Sequence, residues 1–213
     1  KYLIDTAQKE AICSRLGPVM QLDPHAANGG YTLRSLYFED YFHSAYSEKD
    51  AGILLRKKYR IRIYDYSDRS IKLERKKKTG SYIYKESARL TRQQVYQILD
   101  GDYAFLLASD QPLCQEFYYE CISNVMRPRT IVDYERQPWI VDAGTVRITF
   151  DTDVRAAVGS FDIMEVKFTE FLPDFVRQVL PDRASEFTAV SKYVLCYEKT
   201  AYQNDFEHYW FDN

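Results

Sequence analysis

The chain has 213 residues and contains neither GxxxxGK[ST] nor GxGxxG. A P-loop or Rossmann phosphate site is therefore unsupported. Glycine (8) and proline (7) are scarce, while 46% of residues are hydrophobic and 28% charged. That balance excludes collagen-like, low-complexity and disordered classes. No apolar run approaches the roughly 20 residues of a membrane span, which predicts a soluble segment without a span. Four cysteines, Cys13, Cys114, Cys121 and Cys196, form no CxxC pair. They read as buried thiols in a reducing, cytoplasmic setting, not as a disulfide framework or a zinc site. The three histidines, His25, His43 and His208, have no partners at catalytic spacing. Initiator methionine and signal peptide are lacking too, and KYLI reads as the end of a strand, so upstream residues are expected. The length fits one domain or at most two small ones, and a single domain over 1–213 is expected.

What is abundant is aromatic and charged. Tyrosine (19) and phenylalanine (12) dominate the aromatics, and the net charge of −2 hides an asymmetry. Residues 56–92 hold 14 of the 29 Lys and Arg but four of the 31 acids, a net +10. The remainder, with 15 basic and 27 acidic residues, is −12. A basic block in an acidic chain points to an anionic ligand at a confined place; a solvated basic hairpin is the plainer alternative.

Periodicity predicts many strands and short helices. Helices are expected over 5–16, within 42–54, and over 91–99, 109–124, 173–180 and 186–198. Strands are expected over 31–38, 57–66, 70–78, 81–89, 129–137, 145–151 and 161–168, with a turn at Ser67-Asp68-Arg69. Strands do not alternate with long helices, so a doubly wound α/β fold is not expected.

Residues i and i+2 share a strand face. Lys58, Arg60, Arg62 and Tyr64 fall opposite Tyr59, Ile61 and Ile63. Lys72, Glu74, Lys76 and Lys78 fall opposite Ile71 and Leu73. Ile83 pairs in phase with Lys85, Tyr134 with Arg136, and Glu165 with Lys167; Arg147 is out of phase with Val146 and Ile148. A half-exposed antiparallel sheet gives the same alternation. Yet the polar face is nearly all Lys and Arg, and like charges across a ladder destabilise by up to roughly 1 kcal/mol per pair. An anion would offset that cost. With the charged face turned inward, such a sheet becomes a basic tunnel with helices on its apolar outside. Arg offers phosphate bidentate donors and Lys a compact charge, and Glu74 or Glu165 could hold a hard divalent ion.

These residues resemble the VTC-type polyphosphate polymerase domain, a branch of the CYTH or triphosphate tunnel metalloenzyme superfamily. The resemblance rests on KY at 1–2, SLYFED at 35–40, YRIRIYD at 59–65, LERK at 73–76 and Lys85. It continues through YERQPW at 134–139, VRITFDTDV at 146–154, MEVKF at 164–168 and VSKYVLCY at 190–197. It implies an α+β fold, an eight-stranded antiparallel β-barrel flanked by helices. It implies Arg60, Arg62, Lys76 and Lys85 as the catalytic clamp on the terminal phosphates. It also implies Lys1, Tyr134, Arg136, Arg147, Ser191 and Lys192 as polyphosphate-binding positions, and Lys167, on the same strand face as Glu165, is expected to join them. Glu165, with Glu74 as a second acid, would hold Mn²⁺ or Mg²⁺. The implied partners are ATP or another triphosphate and inorganic polyphosphate. The expected reaction is transfer of the terminal phosphate of ATP to a growing chain. The alternatives are a triphosphatase and a non-catalytic polyphosphate binder. A nucleic-acid partner is not expected, since Tyr64 and Tyr134 are the only good aromatics on the basic face.

Overall fold

The computed structural model describes residues 1–26, 28–155, 160–180 and 191–199. In chain order, the first elements are β1 (Tyr2–Ile4), α1 (Thr6–Leu16), β2 (Gln21–Leu22), β3 (Tyr31–Glu39) and α2 (Ser44–Asp50). Then follow β4 (Leu55–Tyr64), β5 (Ser67–Thr79), β6 (Tyr82–Leu90), α3 (Arg92–Asp100), α4 (Ala104–Leu107) and α5 (Pro112–Ser123). The last are β7 (Arg127–Val141), β8 (Val146–Arg155), β9 (Ser160–Lys167), α6 (Asp174–Val179) and α7 (Lys192–Lys199). The architecture is α+β with antiparallel strands, as the sequence predicts. Among the described residues nine strands stand where eight were expected, because β2 adds a two-residue pairing on β7.

The chain divides into two compact units, one of residues 1–32 and 133–191, the other of 33–132 and 192–213. In the first, the strand order is β1-β9-β8-β7. Its core gathers Ile4, Ile12, Leu16, Met20, Val146, Ile148, Phe150, Met164 and Val176. Helix α1 starts sharply because Asp5 and Gln8 form a reciprocal capping box. In the second unit the order is β3-β4-β5-β6. Leu36, Phe38, Tyr59, Ile61, Ile63, Ile71, Leu73, Ala88 and Leu90 present its apolar sheet face. Val95, Ile98, Leu106 and Phe117 of α3, α4 and α5 cover it. The strand phases therefore match those read from the sequence.

Three local expectations are corrected. The β4–β5 turn lies at Asp65-Tyr66, both with positive φ (50° and 52°), and Tyr64 pairs with Ser67. Ser67, Asp68 and Arg69 belong to β5. A two-residue turn with both φ positive suits strand twist, but it usually carries Asn or Gly, so Asp-Tyr gave little signal. The helix expected over 109–124 begins at Pro112, because the residue before a proline is pushed out of the helical region. Gln111 accordingly has φ −91° and ψ 114°. Helix α4 precedes it and was not anticipated. Of the helix expected over 186–198, residues 186–190 lie outside the described residues.

Candidate phosphate-binding clusters

In the second unit, strand register lays polar residues in rows across the face opposite α3, α4 and α5. One row is Tyr37, Arg60, Glu74 and Ser87; its neighbour is Ser35, Arg62, Lys72 and Arg89. On the other side comes Lys58, Lys76 and Lys85. Glu74, 2% exposed, is the centre. Its Oε2 accepts from Arg60 Nε at 2.7 Å, and Lys85 Nζ lies 2.8 Å from its Oε1. Arg62 NH1 lies 3.9 Å from Oε2. Burial alone would raise the Glu74 carboxyl, but Arg60, Arg62 and Lys85 outweigh it and hold it at about 2.

The two guanidinium groups are fixed on their far sides as well. Arg60 NH1 donates to the Tyr37 hydroxyl at 2.9 Å, and Arg62 Nε donates to Ser35 Oγ at 3.1 Å. Burial would raise the Tyr37 phenol, yet Arg60 and Arg62 bring it below its ordinary value, with Lys192 adding to the same field. Lys192 of α7 therefore belongs electrostatically to this cluster. Lys76 is exposed, and Ser191 immediately precedes α7.

In the first unit the predicted cations sit differently. Arg136 and Asp151 face each other across β7 and β8 and form a bidentate pair at 2.6 and 2.7 Å. Asp151 is fully buried, and the Arg136 guanidinium lies over the Tyr134 ring, 5.2 Å from its centroid. Burial works against the Arg136 charge, but Tyr134 and Asp151 raise its affinity for the proton. Arg147 NH1 pairs with Asp23 at 3.0 Å. Lys1 and Lys167 Nζ stand 3.9 and 3.6 Å from Glu165.

Sequence reading did not single out Tyr37, Ser35, Asp23 or Asp151. The period-two pattern of β3, which puts Ser35, Tyr37 and Glu39 on one face, could have pointed to the first two. Among the described residues no three His, Cys, Asp or Glu gather as a metal centre. Glu165, a single carboxylate with two ammonium groups within 4 Å, could hold a hard divalent ion only if phosphate oxygen and water supplied most of the shell. Glu74 fits less well, because an ion there would add to three positive charges already in place.

Antiparallel strands with α3, α4 and α5 on an apolar face and cations on the other fit a fold of the triphosphate tunnel class. A solved structure of a putative adenylyl cyclase from Hippeastrum, described as having a dominant triphosphatase activity, shares the fold. The TM-score is 0.64, identity is 13%, and 93% of each chain is covered. A putative adenylate cyclase from Bacillus halodurans is also similar. Its TM-score is 0.54 at 12% identity, covering 79% of this chain and 78% of that one. No curated protein sequence matches the chain. The model of the VTC domain matches residues 1–201, and the chain belongs to that family.

Proposed function

We propose that the chain is a metal-dependent polyphosphate polymerase that transfers the terminal phosphate of ATP to inorganic polyphosphate. Activity on triphosphates or polyphosphates is the level at which family and fold agree; polymerisation is the finer reading. The observation that carries it is the convergence of Arg60, Arg62 and Lys85 on one buried carboxylate. A terminal phosphate carries up to about two negative charges, more than Glu74 supplies, and offers oxygens in a geometry Arg can grip bidentately.

Phosphoryl transfer needs in-line positioning and charge neutralisation more than covalent help from the protein. Arg60 and Arg62, braced by Tyr37 and Ser35, orient the terminal phosphates. Lys76, Lys85 and Lys192 add charge, and the acceptor is already ionised, so a general base is dispensable. In the first unit, Lys1, Tyr134, Arg136, Arg147, Lys167 and Ser191 are assigned to polyphosphate. Glu165 would hold Mn²⁺ or Mg²⁺, which when bound neutralises phosphate charge. The second reading, a triphosphatase, is favoured by the activity described for the Hippeastrum protein. Incubation with ATP and Mn²⁺ followed by gel electrophoresis separates the two: a ladder of long chains supports polymerisation, and orthophosphate alone supports hydrolysis. No turnover of either kind removes both.

A further inference from the structure

One buried polar group of the second unit has no part in phosphate binding as described above. Glu39, at the end of β3, is 3% exposed. Its Oε2 accepts from the Ala45 N–H at 3.0 Å, and its Oε1 accepts from the Tyr193 hydroxyl. Tyr193 is 2% exposed. Its ring is held between two neighbours: the Tyr37 ring, centroid to centroid 4.8 Å, and the Lys58 ammonium, 4.0 Å from its centroid. Lys58 Nζ is itself buried and makes no hydrogen bond among the described residues. The aromatic ring is its close contact, a cation–π arrangement.

Tyr193 belongs to the stripe by which α7 docks. Cys196 is fully buried, Tyr197 stacks on Tyr46 at 4.3 Å, and the Arg129 guanidinium lies 4.4 Å from the Tyr197 centroid. Residues 193, 196 and 197 share one helical face. Tyr197 brings ring contact, which tolerates rotation and slippage, and the Tyr46 hydroxyl donates to Glu198 Oε1 at 3.1 Å on the exposed edge. The Glu39–Tyr193 hydrogen bond is the buried directional contact next to Lys192, so it fixes the rotation of the helix there. Lys192 precedes Tyr193 directly, and Tyr193 touches Tyr37, which holds Arg60. We propose that Tyr193 and Glu39, with Lys58 above the ring, are positioning residues that set Lys192 beside the Arg60–Arg62–Glu74 cluster.

The proposal rests on the reading of that cluster as a triphosphate site. The seat also titrates near neutrality. Burial raises Glu39 to about 7, against the Ala45 hydrogen bond and the pull of Lys58; Asp40 adds to the rise. Burial lowers Lys58 to about 7, opposed by Glu39 and assisted by Lys49, Arg56 and Lys76. Rising pH therefore strips protons from beside the anion site and weakens its hold on phosphate.

Calorimetric titration with inorganic tripolyphosphate, joined to amide hydrogen exchange, tests the proposal on the full chain. Tyr193→Phe keeps the ring and loses the hydroxyl. It is expected to weaken tripolyphosphate binding about tenfold and to speed exchange across 193–199. Glu39→Gln keeps an acceptor for Tyr193 and should bind nearly as the unchanged protein at pH 6. The affinity of the unchanged protein relative to Glu39→Gln should fall as pH rises from 6 to 8; this ratio removes the titration of the ligand itself. Wild-type binding by Tyr193→Phe overturns the positioning role, and a flat ratio overturns the titration of the seat. If the unchanged protein fails to bind tripolyphosphate, the functional reading fails. Exchange in Tyr193→Phe then still decides the seat, and unaltered exchange across 193–199 overturns it.

Discussion

In the second unit three cations crowd one carboxylate; in the first, Arg136 and Arg147 each have a carboxylate within 3.0 Å. The first arrangement leaves an excess of positive charge on a partly desolvated face, held apart by Tyr37 and Ser35. In the second, each guanidinium already has a carboxylate of its own, and Arg136, only 14% of whose side chain is exposed, would be costly without one. The same residue types on the same kind of strand therefore keep different amounts of charge uncompensated for an anion. Placing Arg on a charged face says little; the ratio of cations to carboxylates around it says how strongly an anion is wanted.

The contrast can be broken most directly at Arg62. Arg62→Ala should lower transfer from ATP by about 10³-fold, as loss of a preorganised donor to developing charge does, while circular dichroism stays unchanged. Activity like that of the unchanged protein would remove the second-unit cluster from the reaction. Asp151→Asn should act the other way round, lowering the stability seen in urea unfolding by about 3 kcal/mol by stranding a buried Arg136 charge. If stability is untouched, the first unit's pairs are not the scaffold described.

Much of this was legible beforehand, and the reason is geometric. A period of two survives translation from sequence to strand, so the phases of Arg60, Arg62, Glu74 and Lys76 followed from spacing alone. Partners were harder. Arg60 meets Tyr37 and Arg136 meets Asp151 only through the register of β3 with β4 and of β7 with β8, and neither register is written in the spacing of a single strand. Lys192 joins its cluster through the docking of a helix, and no local pattern encodes that.

Acid sharpens the comparison further. Glu74 has its carboxyl held at about 2 against an ordinary value of 4.5, so its ion pairs stabilise fully above about 4.5 and are lost as pH falls towards 2. That shift corresponds to roughly 3 kcal/mol, and Glu74→Gln should remove the acid-labile part of an unfolding profile between pH 5 and 2. The same variant should bind tripolyphosphate several-fold more tightly, because the competing carboxylate is gone. Weaker binding would mean that Glu74 positions the cations more than it competes for them. The smallest effect belongs to Lys167, whose side chain is 63% exposed. Lys167→Ala should change stability by less than about 0.5 kcal/mol, and a larger loss would show that its pairing with Glu165 supports the first unit.

The Arg136–Asp151 pair carries a consequence for assembly of the chain. It sits one residue pair before the β7–β8 ladder becomes irregular, between Asp133 and Glu135. A strand can slip by one residue at little backbone cost, but the slip would turn Asp151 towards the apolar side and set Arg136 against Phe150 or Thr152. The pair thus locks the register of β7 with β8: any one-residue misalignment is penalised by two uncompensated charges.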